Sequence, residues 1–167
     1  MLSLRFPAGL YGVTPDWDDT GRLLDAVRQA AEGGMTALQL RRKNATPAQR
    51  AAQARALAPL CRELGVVFLV NDHWQLALEV GADGAHLGRD DGDLAQARLQ
   101  APGLILGASC YNELDRAGQL LDAGADYIAF GAVFASSTKP QAVQAPLSLL
   151  GQARELAAGR PAPRPAV

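Results

Sequence analysis

The sequence is short of the features that mark several common protein classes. It has only two cysteines, Cys61 and Cys110, far apart and without a CxxC spacing. That argues against a zinc site or a disulfide framework and makes a reduced cytoplasm the expected compartment. It has almost no net charge, -1 from 16 basic and 17 acidic residues, so no basic field draws it to nucleic acid or an anionic membrane. Any anion it binds must be held by cations placed locally. No apolar run approaches the roughly 20 residues needed to cross a bilayer. The stretch from Met1 to Gly9 has one arginine and no long apolar core, so it does not read as a signal peptide.

What is there is ordinary for a globular chain. Of 167 residues, 49% are apolar and 20% charged, enough for one domain with a single sizeable core. Short apolar runs alternate with stretches rich in Ala, Leu, Arg and Gln. They predict strands over Leu10–Thr14, Ala37–Arg41, Val66–Val70, Gly84–Leu87, Leu104–Gly107 and Tyr127–Phe130. Helices are predicted over Asp19–Glu32, Pro47–Leu64, Trp74–Val80, Leu94–Gln100, Glu113–Ala123 and Leu147–Ala158. The second helix has the plainest boundaries: Thr46 as N-cap, Pro47 at the first helical position and Gly65 as a C-cap glycine. Regular strand–helix alternation with nearly unbroken apolar strands implies a parallel sheet buried on both faces.

A repeat refines the fold class. The run from Leu78 to Gly88 lines up with that from Leu121 to Gly131, both built around Gly-Ala-Asp, and a weaker copy spans Gly34 to Leu38. The spacing of about 45 residues equals two βα units of an eightfold barrel. No GxGxxG follows the first strand, which weighs against a doubly wound open sheet. The expected fold is α/β, a TIM (β/α)8-type barrel of which about six βα units are present. Residues 1–158 form the incomplete barrel and residues 159–167 a Pro-rich irregular tail. Pro161, Pro163 and Pro165 remove ladder donors, so this tail is not expected to serve as a central strand. It reads as degenerate or out-of-frame sequence where a seventh strand should begin, leaving raw parallel edges.

Barrel active sites lie at the C-terminal ends of the strands. There the second strand delivers Gln39-Leu40-Arg41-Arg42-Lys43 and the third Asn71-Asp72-His73. The fourth ends in His86 to Asp91, the fifth in Gly107 to Tyr111, and the sixth leads from Gly131 to Lys139. One rim thus gathers cations, carboxylates and hydroxyls, as a metal–diphosphate site requires. Hard oxygens suit Mg²⁺, and Arg and Lys neutralise the remaining phosphate charge.

From Leu10 to about Gly151 the chain resembles the thiamine phosphate synthases, motif by motif and in order. The matching runs are Leu10-Tyr11-Gly12-Val13-Thr14, Gln39 to Lys43, Asn71-Asp72, Gly81 to Asp91, Gly107 to Ser109, and Gly124 to Lys139. Any one is weak; six in order at barrel-strand spacing are specific. The resemblance implies condensation of a pyrimidine methyl diphosphate with a thiazole phosphate, a step of thiamine diphosphate biosynthesis that needs Mg²⁺. Gln39, Leu40, Arg41, Arg42 and Lys43 would contact the pyrimidine substrate, Arg41 and Lys43 gripping its diphosphate. Asn71 and Lys139 would share that grip and Ser109 would touch the same substrate. Asp72 and Asp91 would ligate Mg²⁺, and Ser136, Ser137 and Thr138 would face the thiazole phosphate. Arg41, Lys43, Ser109 and Lys139 are the residues expected to carry the chemistry. The partners implied are small molecules, with no nucleic acid and no membrane; a homo-oligomer is left open.

Each residue also has a plainer reading. Arg41 to Lys43 would suit a solvated charge cluster. Asp72 would suit a helix N-cap, and Asp90 and Asp91 a helix start; of these two, Asp91 fits the motif's spacing. His86 is expected to pack inside and Cys110 to be a small buried hydrophobe. Two other functions remain. A thiazole tautomerase uses a His two residues beyond the serine and commonly lacks the metal aspartates. Here Tyr111 stands there and the aspartates are present, which favours the synthase. The third reading is a non-catalytic remnant that binds a phosphorylated ligand or completes its barrel with another chain.

Overall fold

The computed structural model describes residues 4–135, 141 and 143–167. They fall into two compact units, Pro7–His86 and Met1–Phe6 with Leu87–Val167.

The Pro7–His86 unit runs β1 (Leu10–Val13), α1 (Thr20–Glu32), β2 (Met35–Leu40), α2 (Pro47–Leu64), β3 (Val67–Asn71), α3 (Trp74–Val80) and β4 (Gly84–Leu87). Leu87, the last residue of β4, falls in the other unit. The strands lie side by side in chain order and are all parallel, with Val13 opposite Gln39, Leu40 opposite Val70 and Asn71 opposite His86. Leu38, Leu40, Phe68, Leu69, Val70 and Ala85 are buried, so consecutive residues, pointing to opposite faces, are both covered. α1 buries Leu23 and Val27, one turn apart. Thr46 and Gln49 close a reciprocal capping box on α2, Pro47 follows at the first position, and Gly65 ends the helix at φ 67°. Both tryptophans belong to this unit: Trp17 lies 3.9 Å under the Arg22 guanidinium, and Trp74 is buried.

The second unit carries α4 (Leu94–Gln100), β5 (Ile105–Tyr111), α5 (Leu114–Asp122), β6 (Tyr127–Phe130) and α6 (Leu147–Ala158). β5 and β6 are parallel, with Gly107 opposite Tyr127 and Tyr111 opposite Phe130. β5 runs four residues past its expected end, because Ala108 and Cys110 are buried and pairing with β6 extends through Ser109. The Pro-rich tail carries no named strand, but two of its residues make isolated bridges. Ala166 donates to Asp126 O and accepts from Ile128 N, both at 3.0 Å, making a parallel bridge to Tyr127. The bridge uses the N–H and C=O of Ala166, so Pro165 is not asked for a donor. Arg164 forms a second parallel bridge, to Leu4.

Candidate functional site

In the Pro7–His86 unit, the ends of β1 and β2 build the first part of the site. Thr14 N donates to Gln39 O at 2.9 Å, and Arg41 N donates to Thr14 Oγ1 at 2.9 Å. The two strand ends are thereby fixed as the chain leaves the sheet. Gln39 is buried, and its Nε2 donates to Tyr11 Oη at 2.6 Å, which sets the direction of the amide. Leu40 is 1% exposed and packs in the core, while Arg41 is half-buried and Lys43 exposed. Arg41 and Lys43 lie past the end of β2, where the chain has left the doubly covered sheet.

Arg42 takes a different place from the substrate-facing one expected of it. Its side chain is 3% exposed and surrounded by acceptors. Nε donates to Asp16 Oδ1 at 2.6 Å, Nη1 to Trp17 O and to Gln53 Oε1, and Nη2 to Asp18 Oδ1 at 2.7 Å. Four of its five N–H groups are spent within the fold. Asn44 Nδ2 adds a bond to Asp16 Oδ2 at 2.7 Å. The Arg42 guanidinium holds the Asp16 carboxyl below the ordinary aspartate range. Arg42 is thus a brace between the loop after β1 and the loop after β2, the one that carries Arg41 and Lys43.

Beyond β2 and β3 lies a cavity of about 170 Å³, lined by Arg42, Lys43, Arg50, Asn71, Asp72 and His73. Asn71 is 9% exposed. Asp72 adopts φ 66°, a left-handed conformation that an aspartate tolerates at modest cost. Its N–H donates to His86 O at 2.8 Å, while His73 N turns back to Asn71 O at 2.9 Å. His73, not Asp72, is the N-cap of α3, and its side chain makes no capping bond. His86 is buried.

In the second unit, Asp91 closes a short turn after β4: its Oδ2 accepts Gly88 N at 2.8 Å. Asp93, not Asp91, caps α4, accepting from Ala95 N at 2.9 Å. The turn is tied to the end of β5 through Tyr111. Arg89 N donates to Tyr111 Oη at 3.3 Å, the Arg89 and Arg116 guanidinia flank its ring at 5.1 and 5.9 Å, and Arg89 pairs with Glu113. Arg116 Nε donates to Ser109 O at 2.9 Å, anchoring the backbone of the half-buried Ser109. Ser136, Ser137, Thr138 and Lys139 lie outside the described residues. Thr14 and Arg50 contribute to the site without having been assigned a role there, and Tyr111, expected on the rim only as the replacement of a His, ties the turn after β4 to β5. Thr14 stood in the first matched motif, whereas Arg50 stood in none.

Three comparisons with known proteins bear on this arrangement. A family model described as thiamine monophosphate synthase matches residues 10–166. The thiamine-phosphate synthase of Bordetella pertussis is 74% identical over 168 aligned positions, covering all of this chain and 77% of the relative. That of Aromatoleum aromaticum is 55% identical over 147 residues, 87% of this chain and 71% of the relative. The solved thiamine phosphate pyrophosphorylase from Pyrococcus furiosus superposes with a TM-score of 0.74 at 36% identity, covering 90% of this chain and 70% of that one. The fold class is accordingly the TIM-type α/β one. The family model extends to residue 166 and the Bordetella pertussis match spans the whole chain, which goes against reading the tail as out-of-frame sequence.

Proposed function

The chain belongs to the thiamine monophosphate synthase family, and we propose that it transfers a pyrimidinylmethyl group from its diphosphate ester to a thiazole phosphate, releasing pyrophosphate. It is a transferase acting on small molecules. The observation that carries the detailed reading is the cavity lined by Lys43, Arg50, Asn71 and Asp72 at the ends of two neighbouring parallel strands. Lys43, Arg41 and Asn71 would hold the leaving diphosphate, and Ser109 would steady the pyrimidine. As the C–O bond breaks, charge grows on the departing oxygens, and fixed cations stabilise it most in a site that water has left. The aminopyrimidine feeds electrons to its own methylene cation, which the thiazole nitrogen then captures. No protein base is needed for the ionisation.

The resident ion of this reading is Mg²⁺, with Asp72 and Asp91 as ligands. Their chemistry fits: both are hard carboxylate donors at strand ends, and Mg²⁺ commonly takes one or two carboxylates beside substrate phosphates. Asp91 keeps Oδ1 clear of hydrogen bonds among the described residues while Oδ2 is held by Gly88. Bound there, the ion would neutralise diphosphate charge. No helix among the described residues is long and apolar enough to cross a membrane. With both cysteines free and buried, the reduced cytoplasm is the compartment we assign.

The test is formation of thiamine phosphate from the two heterocycles with Mg²⁺ and with EDTA. Metal-dependent product supports the transferase, and Asp72→Asn or Asp91→Asn should each lower its rate by on the order of 100-fold. Metal-independent isomerisation of the thiazole alone would transfer the assignment to the tautomerase. Binding of pyrophosphate with no turnover under either condition would leave only the remnant reading.

A further inference from the structure

We propose that Arg50 is a further anion-binding residue of the diphosphate site, contacting the outer phosphate from the first turn of α2. The inference rests on the transferase reading above and goes beyond the residues that the family motifs name.

Its geometry is that of a cation held in place with donors to spare. Nε and Nη2 donate to Arg42 O at 3.4 and 3.1 Å, and Nη2 also donates to Ala45 O at 3.1 Å. These bonds use three of the five N–H groups of the guanidinium. The two on Nη1 have no hydrogen-bond partner among the described residues, and Arg50 forms no ion pair with a carboxylate there. Arg50 lines the same cavity as Lys43, Asn71 and Asp72. At about 170 Å³ that cavity is several times the roughly 30 Å³ share of one liquid water. A phosphate group therefore has room.

The placement also runs against the local field. Arg50 is the fourth residue of α2, and the first turn of that helix holds no acidic residue. A cation at a helix N-terminus opposes the macrodipole, and a second cation, Lys43, lines the same cavity beside the Asp72 carboxylate, while Arg42 there is already paired to Asp16 and Asp18. The two carbonyls offset part of that repulsion. A bound anion would offset the rest, drawing on the helix end and on the positive charge of the guanidinium together.

A loop-bracing role and an anion-binding role predict different behaviour. Arg50→Gln and Arg50→Lys both lose the paired grip on Arg42 O and Ala45 O, so bracing alone would make them melt and bind alike. Binding of inorganic pyrophosphate with Mg²⁺, measured by calorimetry on the whole chain, separates the cases. We expect Arg50→Gln to weaken it by about tenfold or more and Arg50→Lys, which keeps the charge, by no more than about threefold. Equal affinities for the two variants, tracking their melting temperatures, would overturn the proposal. On the unaltered chain, Mg²⁺–pyrophosphate should shield Arg50 from phenylglyoxal, read by peptide mass. Equal labelling with and without it would overturn the proposal even if neither variant folds. If the unaltered chain binds no pyrophosphate at all, the transferase reading of the cavity falls first and this inference with it.

Discussion

Asp83 and Asp126 perform one task in two places. Asp83 N donates to Phe68 O at 2.9 Å while its Oδ2 accepts Phe68 N at 2.7 Å. Asp126 N donates to Leu106 O at 2.7 Å while its Oδ2 accepts Leu106 N at 2.8 Å. Each aspartate clasps one residue at the start of the preceding strand and so sets the register of the pair. This is the physical content of the repeated Gly-Ala-Asp; the glycine before it, Gly81 at φ 68° and Gly124 at φ 97°, turns the chain out of the helix. Asp126 additionally accepts from Arg5 Nη1 at 2.9 Å and Arg98 Nη2 at 2.6 Å. Asp126→Ala should therefore cost about 3 kcal/mol, since a mostly buried carboxylate with charged partners is lost, read as a shift in denaturant midpoint. Asp83→Ala, without such cations, should cost about half as much. The repeat was legible in the sequence because it recurs. The clasp was not, because its partners sit some 15 to 20 residues upstream. Gly107 is a second such case: a Cβ there would lie 1.8 Å from the Tyr127 ring. Gly107→Ala should destabilise by about 2 kcal/mol or more through overpacking.

Elements were legible to the extent that their own residues decide them. Trp74–Val80, Gly84–Leu87, Leu94–Gln100, Tyr127–Phe130 and Leu147–Ala158 stand where the pattern puts them. β5 was read short because Ala108, Ser109 and Cys110 carry no β-branched signal; its length comes from β6, a tertiary cause. Arg42 shows the same limit inside the site. From sequence it is one of three adjacent cations. In the fold its partners come from the loop after β1, 24 to 26 positions earlier. Arg42→Met should keep the aliphatic packing and abolish the brace. The expected cost is about 2 kcal/mol, because the partner carboxylates are partly exposed and can turn to water. The loop holding Arg41 and Lys43 would loosen as well, so the KM for the pyrimidine diphosphate should rise more than the KM for the thiazole phosphate.

For the whole molecule, the two thiols give a pH dependence with a definite sign. Burial, reinforced by the Asp83 charge, pushes Cys61 up to about 12, and burial pushes Cys110 up to about 11. The folded chain thus keeps its thiols protonated where the unfolded chain ionises them. Their contribution to stability is complete below about pH 8 and is lost as pH climbs from about 9, toward about 11 for Cys110 and about 12 for Cys61. Denaturant midpoints across that range should fall accordingly. At about pH 8 a disulfide reagent should label neither cysteine in the native protein and both in the unfolded one.

The placement of Trp17 and Trp74 gives the molecule its own optical division of labour. With all indole emission arising from Pro7–His86, fluorescence records the melting of that half and is blind to the other. Cys110, residing in the second unit, supplies the complementary chemical clock. Running the two signals along one denaturant series turns a question about cooperativity into a comparison of midpoints, with no label added to the chain.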